Sequence, residues 1–184
     1  MLHSVLGKTH ALKERKIVWG KIMIEQYKIY MDVCCLNRPF DDPEQERIRL
    51  EAEAILSILQ QCQNHRWILM NSDAIEFELE QTPDLEKIEQ LTPLLAVAQK
   101  KIYSNEAIEQ RAAALINVGF KLYDALHIAF AEAGKADIML TTDDRLLRRA
   151  SRYREMIKII IENPVTWFMN VTQPKGNNNN NDDN

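Results

Sequence analysis

Apolar strand-length runs that alternate with helical stretches predict an α/β fold: an α/β/α sandwich with a central, mostly parallel sheet and helices on both faces. Three observations carry that prediction. The runs in "YKIYMD", "RWILMNS" and "ADIMLTT" are short and unbroken, as strands buried on both faces require. Amphipathic or small-residue helical segments lie between them. Each run stops at polar turn residues and passes directly into a helix.

The 184 residues suit one domain with a proper core. Residues 1–26 are mixed and poorly periodic, a basic extension that the fold pattern does not use. It is either a flexible basic arm or sequence upstream of a start at Met23. The domain itself is expected over 27–171. "YKIYMDVCC" reads as the first strand. "DPEQERIRLEAEAILSILQQC" reads as a helix capped by Asp42 and opened by Pro43, with Ile48, Ala52, Ile55, Leu56 and Leu59 as its apolar stripe. "RWILMNS" is the second strand, followed by a helix from Ser72 or Asp73. Pro83 and Pro93 divide the next region into two short helices. "NEAIEQRAAALINVG" is a helix ended by Gly119, and "KLYDALHIAFAEAG" one ended by Gly134. "ADIMLTT" is the third strand, "DDRLLRRASRY" a helix, "IKIII" the fourth strand, and Pro164 opens a last helix. The tail, 172–184, is Asn/Asp-rich and expected to be disordered.

No apolar run approaches the roughly 20 residues of a membrane span. Cys34, Cys35 and Cys62 offer neither a disulfide framework nor zinc-ligand spacing, which favours a reducing, cytoplasmic setting. Residues 1–28 hold six Lys or Arg and two acids, a formal +4 within a total of −4, so the remainder carries −8. Such a body does not grip nucleic acid by charge alone. Metal-binding carboxylates would contribute to that negative charge, so a nuclease is not excluded.

Asp32 ends the first strand and Asp143 the third. Glu78 follows the second strand on its helix, and Asp124 lies in the first turns of another. In a parallel sheet, strand ends and following helix starts share one edge. Carboxylates meeting there repel one another, and a divalent cation relieves the conflict; oxygen-only ligands select Mg²⁺ or Mn²⁺. The bland readings are a turn residue at Asp32 and a first-turn charge at Asp124.

"IYMDVCCLNRP", "SDAIEFELE", "YDALHIAFAEAGKADIMLTTDDRLL" and "NPVTWF" together resemble the PIN-domain family, in order and spacing, over about residues 28–170. The resemblance implies a metal-dependent ribonuclease, often the toxin of a toxin–antitoxin pair. It implies an acidic quartet, carried over onto Asp32, Glu78, Asp124 and Asp143 as catalytic and metal-binding residues. Thr141 matches the threonine of the family's T-x-D motif, with Ser72, Asn37 and Arg38 in support. The partners implied are an RNA substrate, an antitoxin protein and a second copy of the chain as homodimer.

Two positions stay open. Glu76 competes with Glu78, and residues two apart on a helix point about 200° apart. The family spacing favours Glu78. Asp144 takes over from Asp143 if Thr142 is the matching threonine; otherwise Asp144 caps the next helix. His127 reads as a hydrogen-bonded core histidine, Ser72 as a cap, and Cys34 and Cys35 as small buried residues. Arg38 either holds its loop or contacts a phosphate. The run Arg145, Arg148, Arg149, Arg152 and Arg154 is either a solvated face or a guide for an RNA backbone. Two other classes compete with the nuclease: a PIN-like binding module for RNA or protein without turnover, and a phosphate-receiving domain. The second needs a lysine after a late strand, and "IKIII" is followed by "ENP".

Overall fold

A computed structural model describes residues 26–173; the extension and nearly all of the tail lie outside them. The element order is β1 (Lys28–Met31), α1 (Val33–Asn37), a 3-10 turn (Arg38–Phe40), α2 (Glu46–Gln63), β2 (Ile68–Ser72), α3 (Asp73–Glu80), α4 (Leu85–Leu95) and β3 (Lys100–Ile102). There follow α5 (Glu106–Asn117), α6 (Leu122–Ala133), β4 (Ile138–Leu140), α7 (Asp144–Arg152), a 3-10 turn (Arg154–Met156), β5 (Ile161–Glu162) and α8 (Pro164–Thr172). The fold is α/β: a five-stranded, all-parallel sheet in the order β3-β2-β1-β4-β5, flanked by helices.

β1 is the centre of the sheet. Ile29 lies opposite Leu69 of β2 and Ile138 of β4, and Met31 opposite Leu140. A strand paired on both edges and covered on both faces is apolar at every position, and Ile29, Tyr30 and Met31 are fully buried. Its carboxyl end therefore delivers Asp32 into a shielded place beside the ends of β2 and β4. At the opposite edge, Tyr27, Trp67, Trp167 and Phe168 pack edge to face, with Trp67 and Trp167 centroids 5.1 Å apart. That aromatic lock ties α8 to the strand starts and leaves the strand ends for other work.

Several elements differ from the sequence prediction. Residues 33–35, "VCC", are helical rather than strand, because Asp32 caps α1 immediately. Helix α2 starts at Glu46, with Gln45 at its N-cap, while Asp42 caps only a local turn through the Glu44 N–H (3.1 Å). Its buried face is Glu51, Ala54, Ile55, Ile58, Leu59 and Cys62, so the apolar stripe is rotated and Leu56 is 50% exposed. A stripe read from apolar residues alone misses this face because Glu51 belongs to it. The region around Pro83 and Pro93 holds one helix and a strand. α4 runs through Pro93 near its end, where only one backbone bond is forfeited. β3, "KKI", pairs with β2 alone; lysines are tolerated on an edge strand. β5 lies later than "IKIII" implies.

α5 ends in a Schellman turn: the Gly119 N–H donates to Ile116 O (2.8 Å) and the Phe120 N–H to Leu115 O (3.1 Å). Gly119 has φ +98°, and a Cβ there would stand 2.6 Å from Arg149 Nη1. Gly119→Ala is expected to lower unfolding free energy by about 1–3 kcal/mol. Urea denaturation of the two proteins, with unchanged slope, measures it; equal midpoints would contradict the strained turn.

Candidate functional site

Asp32 is 3% exposed, and its Oδ1 accepts the Cys35 N–H (2.8 Å). Burial raises its pKa from 3.8 to about 6, against the opposing pull of His127, of a hydrogen bond from Thr141 and of the Cys35 amide, with Glu78 pushing it further up. Asp124, in the first turn of α6 and half-buried, is also raised, by burial first and then by Asp143, with a smaller push from Glu78; Lys121 and His127 oppose. The clearest sign of convergence is Cys34. Although exposed as a residue, which corrects the buried reading, its thiol is pushed up by its packing and then by Asp32, Glu78, Asp143 and Asp124. All four acids thus lie along the carboxyl edge of the sheet, within electrostatic range of Cys34.

Glu78 rather than Glu76 belongs there. Glu76 accepts from Asn71 Nδ2 (2.9 Å) and pairs with Lys101 Nζ (2.5 Å), which ties it to β2 and β3. Glu78 Oε2 meets His127 Nε2 at 2.7 Å. His127 Nδ1 lies 2.8 Å from the Tyr30 hydroxyl, which lies 2.7 Å from Ser72 Oγ, and Ser72 Oγ accepts the Ile75 N–H (3.3 Å). With His127 in the neutral Nε2–H form, Nε2–H donates to Glu78, Nδ1 accepts from Tyr30 and Ser72 donates to Tyr30. This buried chain joins α3, α6, β1 and β2, and it confirms Ser72 as the α3 cap and His127 as a core histidine. Tyr30 was hidden in the sequence as one apolar residue of a strand; its one signal is a polar tip two residues before Asp32.

Asp143, not Asp144, caps α7: its Oδ1 accepts from Arg145 N–H (2.6 Å) and Leu146 N–H (3.4 Å). The expectation that Asp144 would be the cap is overturned because the helix begins one residue earlier than a cap at Asp144 allows. Asp144 instead receives Arg47 Nη1 (2.6 Å) and Nη2 (2.7 Å), and these bonds hold its carboxyl below the usual range. Thr141, fully buried, accepts the Asp143 N–H at 3.0 Å while bonding to Asp32, so it couples the two acids. Asn37 ends α1. Arg38 holds its loop, with Nη1 on Asp41 (2.7 Å) and Nε on Glu51 (2.8 Å).

Glu51 is a residue that sequence reasoning missed. It is 1% exposed and gathers Arg38, Arg47 Nε (2.9 Å) and Asn163 Nδ2 (2.7 Å). A buried carboxylate needs such partners, and the sequence signal was an acid on the apolar side of α2.

Among the described residues, no group of three or more His, Cys, Asp or Glu side chains is drawn close enough together to hold a metal ion. The donor chemistry nonetheless fits a hard divalent cation. The four acids offer oxygen only, two of them are raised by burial and mutual repulsion, and the described bonds of Glu78 and Asp143 each use one oxygen. Among the described residues no helix is long and apolar enough to cross a membrane.

No protein-family model and no curated protein matches the chain. Among solved structures it is similar to PAE2754 from Pyrobaculum aerophilum, known from a crystal structure, with 14% sequence identity, a TM-score of 0.46, and coverage of 79% of this chain and 89% of that one. At that level the likeness bears on neither activity nor ligand.

Two predictions follow from the geometry. Asp32 has a folded pKa of about 6 against 3.8 unfolded, so its contribution to stability is fully present below pH 3.8 and lost as pH rises through about 6. Asn keeps the Oδ1 acceptor for Cys35 and cannot ionise. In metal-free buffer Asp32→Asn is expected to exceed wild type in stability by up to about 3 kcal/mol near pH 8, the gap closing toward about pH 4; a gap independent of pH would contradict the assignment. Tyr30→Phe leaves Ser72 and His127 without their shared partner and is expected to cost about 1–3 kcal/mol. Denaturation of the variant measures the loss, and a stability equal to wild type would argue against the chain.

Proposed function

We propose that the protein is a metal-dependent endoribonuclease of the PIN-domain type, hydrolysing RNA phosphodiester bonds. The observation that supports this best is that four carboxylates from four separate elements lie along one edge of the sheet, within electrostatic range of the Cys34 thiol.

Asp32, Glu78, Asp124 and Asp143 would hold Mg²⁺ or Mn²⁺, which supplies Lewis acidity toward the phosphate and a more acidic bound water. The chain's own residues keep those oxygens in place. The Cys35 N–H and Thr141 fix Asp32, His127 fixes Glu78 through Nε2, and the first amides of α7 fix Asp143. Lys121 and His127 add positive or polar character beside Asp124. An antitoxin partner, a homodimer and a toxin role rest on the family resemblance. A cytoplasmic location accords with three free cysteines. The second reading, a PIN-like binding module without turnover, is favoured by one observation: the acids are not gathered around a common point.

Incubating a mixed RNA pool with the purified protein in Mn²⁺, in Mg²⁺ and in EDTA, beside Asp124→Asn and Asp32→Asn, separates the readings. Metal-dependent cleavage is expected, reduced by at least about 100-fold in either variant. RNA bound but uncut under every condition would transfer the case to the binding module.

A further inference from the structure

We propose that the arginine-lined cavity between α2 and the start of α7 is a phosphate-binding subsite, seating a backbone phosphate of the RNA strand beside the acidic edge. This rests on the nuclease reading for the identity of the strand, but the site itself is built from separate residues. The cavity measures about 380 Å³, and Arg38, Arg47, Arg145 and Arg148 line it together with Thr142 and two aspartates, Asp143 and Asp144. It is roomy compared with the roughly 30 Å³ that one water occupies in the liquid.

The charges are sorted rather than mixed. Arg47 spends Nε on Glu51 and its two terminal nitrogens on Asp144, and Arg38 pairs with Glu51 and Asp41. Those pairs neutralise Asp144 and stiffen one wall. Asp143 gives its Oδ1 to the α7 amides. Arg145 and Arg148, one turn apart on α7, pair with no carboxylate among the described residues, and both line the cavity. Two uncommitted guanidinium groups facing one recess suit an anion that accepts several hydrogen bonds, and a phosphodiester is such an anion.

Thr142 lines the same recess, but its Oγ is closed to solvent, so the donors offered to a phosphate are those of the arginines. Asp143 belongs to the cavity lining and to the acidic edge at once, so a phosphate held here is a close neighbour of the one to be cut.

Inorganic phosphate is the first probe. In EDTA, titrating ¹⁵N-labelled full-length protein with it is expected to shift the amides of Thr142, Asp143 and Arg145 and the Nε–H of Arg145 and Arg148. The shifts should vanish in Arg145→Gln/Arg148→Gln. No shift at these groups overturns the site. The strand is tested in an Asp124→Asn background by anisotropy of a labelled single-stranded oligoribonucleotide across a KCl series. The double arginine variant is expected to bind about tenfold more weakly, with a log–log salt slope smaller by about 0.7 for the lost phosphate, while Arg49→Gln changes neither. Unchanged affinity and slope, or no RNA binding at all, would show that the recess takes at most a free phosphate ion. Loss of cleavage alone, with arginine-dependent RNA binding intact, would sink the nuclease reading and leave the subsite standing.

Discussion

The arrangement of this molecule turns on one buried acid. Asp32 sits at the carboxyl end of the central strand, screened by β2 on one side and β4 on the other. Moving its pKa from 3.8 to about 6 corresponds to about 3 kcal/mol against ionisation. Nothing in the packing of an α/β sheet asks for that cost, since a threonine or serine could end the strand and cap α1 equally well. What surrounds Asp32 answers its charge in part: a backbone amide, a threonine hydroxyl and the ring of His127 all favour the ionised form. Glu78 does the opposite. On the proposed nuclease reading, that balance suits a positive charge supplied from outside.

Two networks keep the acids from relieving the strain by swinging away. The Ser72–Tyr30–His127–Glu78 chain crosses from the strand ends to α6 and fixes the carboxylate of α3 through buried, short hydrogen bonds. Glu51 does comparable work on the other flank, drawing the turn after α1, the start of α2 and the cap of α8 to one point. The first network is hydrogen-bonded throughout, while in the second Arg38 Nε and Glu51 Oε2 face each other as an ion pair without a hydrogen bond. Between them lies the edge where neither network supplies a partner for the charge.

How much of this was written in the sequence depends on the range of the interaction. Local signals were readable: Ser72 as a cap, Gly119 and Gly134 as helix ends, and the acids at strand ends. Glu76 and Glu78 are equivalent in a helical pattern, and Lys101, on a strand disguised by two lysines, separates them. Leu56 looked like core because α2's buried face is turned toward Glu51, whose partners Arg38 and Asn163 lie outside the helix. Tyr30 looked like one more apolar strand residue because its hydroxyl finds His127 across 97 positions. Long-range polar pairing leaves no periodic trace.

The adjacent aspartates 143 and 144 show how finely the charge is partitioned. Consecutive residues at a helix start diverge by about 100°, so two acids side by side cannot share a task. Asp143 turns to the amides of its own helix and keeps an oxygen for the acidic edge, while Asp144 is drawn off to Arg47. That pairing neutralises one negative charge beside the cavity that Arg145 and Arg148 line, and it stations a fixed arginine next to them. A chain with net charge −4 can then present an acidic pocket and a basic approach within one turn of helix. Exchanging the roles of the two acids would leave an unpaired carboxylate in the approach and a cap missing from α7, and the charge pattern would fail on both sides at once.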